Sequence, residues 1–175
     1  MALGKADTGV GIVNTIFSNN SAKQGSGAAV TITTVGTDSV YFDNATFEHN
    51  EASPFQGAVY HATIPLLDLK QSSDSSYGSV NIINSRFTNN IGGCITGVGS
   101  YLAIDSCRFE SNQGGSGSGA INCNSCLKMY VAHSKLLNNT SSGAGGAIRA
   151  ISTGNSALVV DNVIANNNRF VIMTG

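Results

Sequence analysis

Apolar residues recur at alternate positions in short runs along this chain, as in Val80-Asn81-Ile82, Leu102-Ala103-Ile104 and Leu158-Val159-Val160. A period of two puts successive side chains on opposite faces of an extended strand, whereas an amphipathic helix needs spacings of three and four. Gly and Asn interrupt every run before a helix could grow. The pattern predicts short β-strands separated by turns.

These runs sit inside a repeating unit whose shortest version is NSRFTNNIGGCI, Asn84 to Ile95. An aromatic or its substitute is followed three residues on by Asn: Phe17 with Asn20, Phe47 with Asn50, Phe87 with Asn90, Phe109 with Asn112, Leu136 with Asn139, Ala165 with Asn168. Then come Gly, a small residue and an aliphatic: Gly27-Ala28-Ala29, Gly57-Ala58-Val59, Gly93-Cys94-Ile95, Gly119-Ala120-Ile121, Gly146-Ala147-Ile148. Asn and Gly are seven apart in four of these units (20 to 27, 50 to 57, 112 to 119, 139 to 146) and three apart in the third (90 to 93). Seven on from Asn168 is Gly175, where a seventh unit is expected to begin. At the other end Met1-Ala2-Leu3 is expected to fill the Gly-small-aliphatic slot.

The aromatic positions 17, 47, 87, 109, 136 and 165 lie 30, 40, 22, 27 and 29 apart. Fixed anchors with unequal connections mark a solenoid, in which each unit buries its apolar face only against its neighbours. The expected fold is all-β: a right-handed parallel β-helix of about six coils with variable lateral loops, the hand following the bias of parallel crossovers. Residues 1–175 read as one β-helix segment of a longer stack. The longest connection, 62–78, reads as a lateral loop insertion. Its Leu66, Leu67 and Leu69 form either an extra packed strand or a partner-binding element.

Stacked coils place equivalent residues about 4.8 Å apart. Phe17, Phe47, Phe87 and Phe109 are therefore expected to form one interior pile. Thr15, Ala45, Ser85, Cys107, Ser134 and Val163 are expected in a small interior slot. Two side-chain ladders are expected. One is the column Asn14, Asn44, Asn84, Ser106, His133 and Asn162. The other is Asn20, Asn50, Asn90, Asn112, Asn139 and Asn168, which is also given the left-handed backbone of the corner, since Asn tolerates it.

Composition narrows the function. A formal charge of -1 leaves no footprint for nucleic acid. No apolar run reaches membrane-spanning length, and Met1 to Val10 has neither the basic start nor the apolar core of a secretion signal, so any exporting segments are expected outside these residues.

Three groups could carry chemistry. Asp43, Asp105 and Asp161 share a column in alternate coils, roughly 9.6 Å apart, near the upper end of the carboxylate spacing of inverting glycosidases. Ile83 and Ala132 stand between them, so a row of solvated acids is the preferred reading. Arg86, Arg108 and Lys135 form a contiguous basic column, flanked by Glu48 and Glu110; like charges in a row repel unless countered, which hints at use, but the nearby acids could neutralise the row and a plain outward face is the preferred reading. Cys94 and Cys107 read as packing residues, and Cys123-Asn-Ser-Cys126 as a turn that a disulfide could close; zinc lacks a second ligand pair. His49, His61 and His133 show no catalytic partner in the repeat. No metal or cofactor is expected.

GGAI at Gly145 to Ile148, its variants at 92–95 and 118–121, and FSNN, FEHN, FTNN and FESN at 17, 47, 87 and 109 resemble the paired repeats of chlamydial polymorphic outer membrane proteins, which are autotransporters. The likeness covers essentially the whole chain, although few repeats here carry the doubled glycine. It implies a β-helical passenger displayed outside the cell on the bacterial outer membrane. The implied role is a non-enzymatic adhesin that binds a host-cell surface protein or glycan through its outer face and loops. Arg86, Arg108, Lys135, Leu66, Leu67 and Leu69 are the candidate contacts. A fibre subunit that self-associates through open coil ends is the alternative, and a polysaccharide-degrading enzyme comes third.

Overall fold

The computed structural model describes residues 9–22, 24, 27–35, 39–53, 57–64, 78–99, 101–124, 126–143, 145–151, 157–169 and 172–174, with backbone alone at 34–35, 60–64, 157 and 172–174. Every regular element among them is a strand. Three parallel sheets of six strands each form the walls of a parallel β-helix, and neighbouring strands in every sheet belong to successive coils.

The first face comprises Gly9–Val13, Ser39–Asp43, Ser79–Ile83, Tyr101–Asp105, Lys128–Ala132 and Ala157–Asp161. The second comprises Ile16–Ser18, Thr46–Glu48, Arg86–Thr88, Arg108–Glu110, Lys135–Leu137 and Ile164–Asn166. The third comprises Val30–Val35, Val59–Ile64, Ile95–Val98, Ile121–Asn124, Ile148–Ile151 and Ile172–Thr174. Alternation on the first face turns Val40, Val80, Leu102 and Met129, and Phe42, Ile82, Ile104 and Val131, into the core.

The four phenylalanines form one interior pile. Successive ring centroids lie 4.7 Å apart from Phe17 through Phe47 and Phe87 to Phe109, with interplanar angles of 8°, 4° and 8°. Leu136 continues the column. Beside it runs the buried asparagine ladder. Each Nδ2 donates to the next coil's Oδ1, from Asn20 to Asn50 (2.8 Å), Asn90 (3.0 Å), Asn112 (3.0 Å), Asn139 (2.9 Å) and Asn168 (3.0 Å). The second proton goes back to the aromatic column's carbonyl in the preceding coil, as Asn90 does to Phe47 at 3.0 Å. Each Oδ1 also accepts the backbone N–H of the asparagine before it.

The left-handed backbone falls on the outer asparagine column and on the residues just before the ladder, not on the ladder itself. Asn14, Asn44, Asn84, Ser106, His133 and Asn162 have positive φ, and so do Asn19, His49, Asn89, Ser111, Asn138 and Asn167, the residues just before the ladder. The ladder asparagines do not. Two roles assigned to one residue are thus divided: the left-handed residue turns the chain, and the next one points its amide inward. At the other corner Gly57 and Gly93 have φ of 70° and 107°, and a Cβ on Gly93 would sit 2.7 Å from the Ser118 carbonyl oxygen. Both conformation and clearance require glycine there.

Three further expectations are corrected. Val30, not Ala29, stands over Val59, because the amides of Ala29 and Val30 both donate to the Ala58 carbonyl and the first coil absorbs one extra residue. Ile172 already stands over Ile148, so the third-face strand precedes Gly175 and the corner after Asn168 is short, as it is after Asn90. The strand from Val59 runs to Ile64 because it pairs along the full length of Val30–Val35, so residues 62–64 of the expected insertion at 62–78 belong to the third face. Residues 65–77, with Leu66, Leu67 and Leu69, lie outside the described residues, as do Met1 to Leu3.

Asn90→Ala is expected to lower the unfolding free energy by about 3 kcal/mol or more, since it strands buried partners above and below. Asn44→Ala, at an exposed left-handed corner, should cost only about 1–2 kcal/mol. Urea midpoints with an unchanged m-value would measure both, and equal losses would contradict a structural role for the buried ladder.

Candidate functional site

The strands of the second face are three residues long and alternate out, in, out, so each coil presents two outward side chains there. Register stacks Arg86, Arg108 and Lys135 in one outward column and Thr88, Glu110 and Leu137 in the other. The structure therefore brings the three expected cations together, one per coil.

They are not equally free. Arg108 Nε donates to Glu110 Oε2 at 2.8 Å, and Arg86 approaches the same oxygen at 3.8 Å. Arg86 Nε also donates to Thr88 Oγ1 at 2.9 Å. The Arg108 hydrogen bond holds the Glu110 carboxyl below its usual range, and Glu110 in return pushes the guanidinium of Arg108 up. Lys135 is exposed and makes no ion pair among the described residues. One carboxylate thus serves two guanidinium groups, and the column keeps a positive excess.

The acidic column lies at the end of the first face, where Asp43, Ile83, Asp105, Ala132 and Asp161 are in register. It captures the exposed corner residues. Asn44 Nδ2 donates to Asn14 Oδ1 at 2.8 Å, as a ladder requires, but Asn84 Nδ2 turns to Asp43 Oδ1 at 3.0 Å and Ser106 to Asp105 at 3.1 Å. The expected outer amide ladder is therefore broken after one link, because a carboxylate is the stronger acceptor.

His133 has an acid partner that reading by columns missed: its Nδ1 lies 2.9 Å from Asp105 Oδ1. The pair is diagonal, joining adjacent columns in adjacent coils, so only a search of diagonal neighbours would have found it. Ser106, Asp105 and His133 do not form a nucleophile relay, since Ser106 donates to the carboxylate rather than to the imidazole. Both members of the pair are about half exposed, at 50% and 42%. His49 Nε2 faces Asn89 Nδ2 at 3.4 Å, and the side chain of His61 lies outside the described residues.

Where the third coil is short, the wall has an open depression of about 470 Å³ floored by Ile91 and Gly92. Coils on either side of it carry an extra two-residue strand, Glu51–Ala52 and Gln113–Gly114, which Ile91 bridges by single contacts. Cys123 and Cys126 are joined by a disulfide, while Cys94 and Cys107 are buried free thiols. No cluster of three or more His, Cys, Asp or Glu that could hold a metal occurs among the described residues. Comparison with family models, curated proteins and solved structures finds no match to this chain.

Burial pushes the Cys107 thiol from 9.0 up to about 12, against smaller opposing contributions from backbone hydrogen bonds at Ser85 and Asp105. It also pushes Cys94 well above its usual value. Above pH 9.0 the unfolded thiols release protons that the folded ones keep, so the native state binds more protons and loses stability as pH rises toward about 12. The expected loss is about 1.4 kcal/mol per pH unit for each thiol. The double variant Cys94→Ala, Cys107→Ser should flatten that slope in urea titrations, because Ala and Ser already occupy the equivalent slots in other coils.

Proposed function

We propose that this segment is a non-enzymatic, surface-displayed adhesin, which binds an acidic patch or glycan on a host cell through the outer columns of its second face. The basic row Arg86, Arg108 and Lys135 carries this reading, because three cations stand in one outward column and a single carboxylate, Glu110, lies close to only two of them. Like charges stacked one strand spacing apart repel, and the cost is recovered when an anionic partner lies along them. The Cys123–Cys126 disulfide suits an oxidising environment outside the cytoplasm. The paired GGAI and Phe-x-x-Asn motifs, similar to those of chlamydial polymorphic outer membrane proteins, point the same way, toward the outer membrane surface.

Binding of the purified segment to cultured animal cells tests the proposal. The triple variant Arg86→Ala, Arg108→Ala, Lys135→Ala should lose about tenfold or more in affinity with its strand signal and unfolding midpoint unchanged. Wild-type binding should weaken with salt. Glu110→Gln, which unmasks two guanidinium groups, should strengthen it. A triple variant that folds and binds like the wild type would refute the proposal.

A further inference from the structure

The first face carries a groove that the basic row does not touch. It has a volume of about 370 Å³ and crosses four coils, from Ser79 and Asn81 to Val159, within the range of roughly 300–1,000 Å³ usual for small-ligand sites. Register explains its shape. Ser79, Tyr101 and Lys128 form one outward column, and Asn81, Ala103 and Tyr130 form the next. Ala103, small between Asn81 and Tyr130, leaves a gap in its column and becomes the floor. Tyr101 and Tyr130 supply rings, and Ser79, Asn81 and Lys128 supply polar groups; Asn81 Nδ2 and Ser79 Oγ lie 3.5 Å apart.

We infer that this groove is a binding site for an acidic saccharide. A pyranose has an apolar C–H face that suits the negative face of a phenol ring, and an edge of hydroxyls that suits amide, hydroxyl and ammonium groups. Lys128 is the one charge in the lining, is exposed and makes no ion pair among the described residues, so it selects a carboxylate-bearing sugar over a neutral one. An extended peptide is a poorer fit. The strand beneath, Tyr101–Asp105, is paired on both sides, with Ser79–Ile83 and Lys128–Ala132, and offers no free edge for backbone hydrogen bonds. The site differs in face and residues from the basic row, so either can fail without the other.

The test is titration of the folded segment with uronate-containing oligosaccharides, neutral oligosaccharides of equal length and an acidic peptide, followed by amide resonance shifts. Uronate oligosaccharides are expected to bind saturably and to shift the resonances of 101–103 and 128–130. Ala103→Trp, which fills the floor from outside the core, should weaken binding by about tenfold or more, and Tyr130→Ala should do the same if the first variant folds poorly. Lys128→Gln should abolish the preference for uronate over neutral sugar. The triple variant of the basic row should bind the sugar normally. The inference is overturned if no uronate oligosaccharide binds at about 10 mM, if both groove variants bind like the wild type, or if the acidic peptide occupies the groove in preference to sugar.

Discussion

An amide buried in an apolar stack must find partners for two protons and two lone pairs, or the stack loses stability. The internal asparagines meet this demand entirely along the axis. Asn90, for example, donates to the Asn112 side chain and the Phe47 carbonyl, and accepts the backbone and side-chain N–H groups of Asn50. No member can shift by one residue without orphaning groups on both neighbours. The ladder therefore sets register at the second corner, and the Phe pile one turn of backbone away inherits it.

Register has consequences on both surfaces of the wall. Inward, it lets rings stack nearly parallel at 4.7 Å and lets Ser85 and Ser134 share a slot with Ala45 and Cys107, each hydroxyl accepting the amide of the coil before it. Outward, it converts sequence position into vertical rows, so a cation in three consecutive units becomes a charged line. Such a row would be hard to hold on a surface of flexible loops.

The parts of this architecture that were legible in the chain are those that recur at fixed offsets from an anchor. Phe17, Phe47, Phe87, Phe109 and the asparagines three residues on were readable because burial and hydrogen bonding demand the same residue in every coil. The corner columns were harder: Asn, Ser and His all tolerate a left-handed backbone, so residue type alone did not separate the turning position from the ladder position beside it. The shift at Val30 escaped detection because Gly27-Ala28-Ala29 mimics the motif while the chain bulges. Contacts between columns, such as Asp105 with His133, are invisible to an alignment that compares only equivalent positions. On the outer faces no packing requirement acts, and the tyrosine groove emerges only when two columns are seen side by side.

The same geometry limits where recognition can occur. Among the described residues the interior positions are filled by side chains of 0% exposure such as Phe42, Ile82 and Ile104. Contacts must be made on outer columns, where a single exposed ion pair contributes roughly 0–1 kcal/mol. Useful affinity then has to come from several coils at once, each adding a weak contact to a partner that lies along the axis. A polymer with regularly spaced charges or rings suits such a surface better than a compact ligand, because its repeats can meet one coil after another. Arg86, Arg108 and Lys135, one per coil, offer that spacing on strands already paired on both sides, so the ordering cost of binding falls on side chains rather than on the backbone.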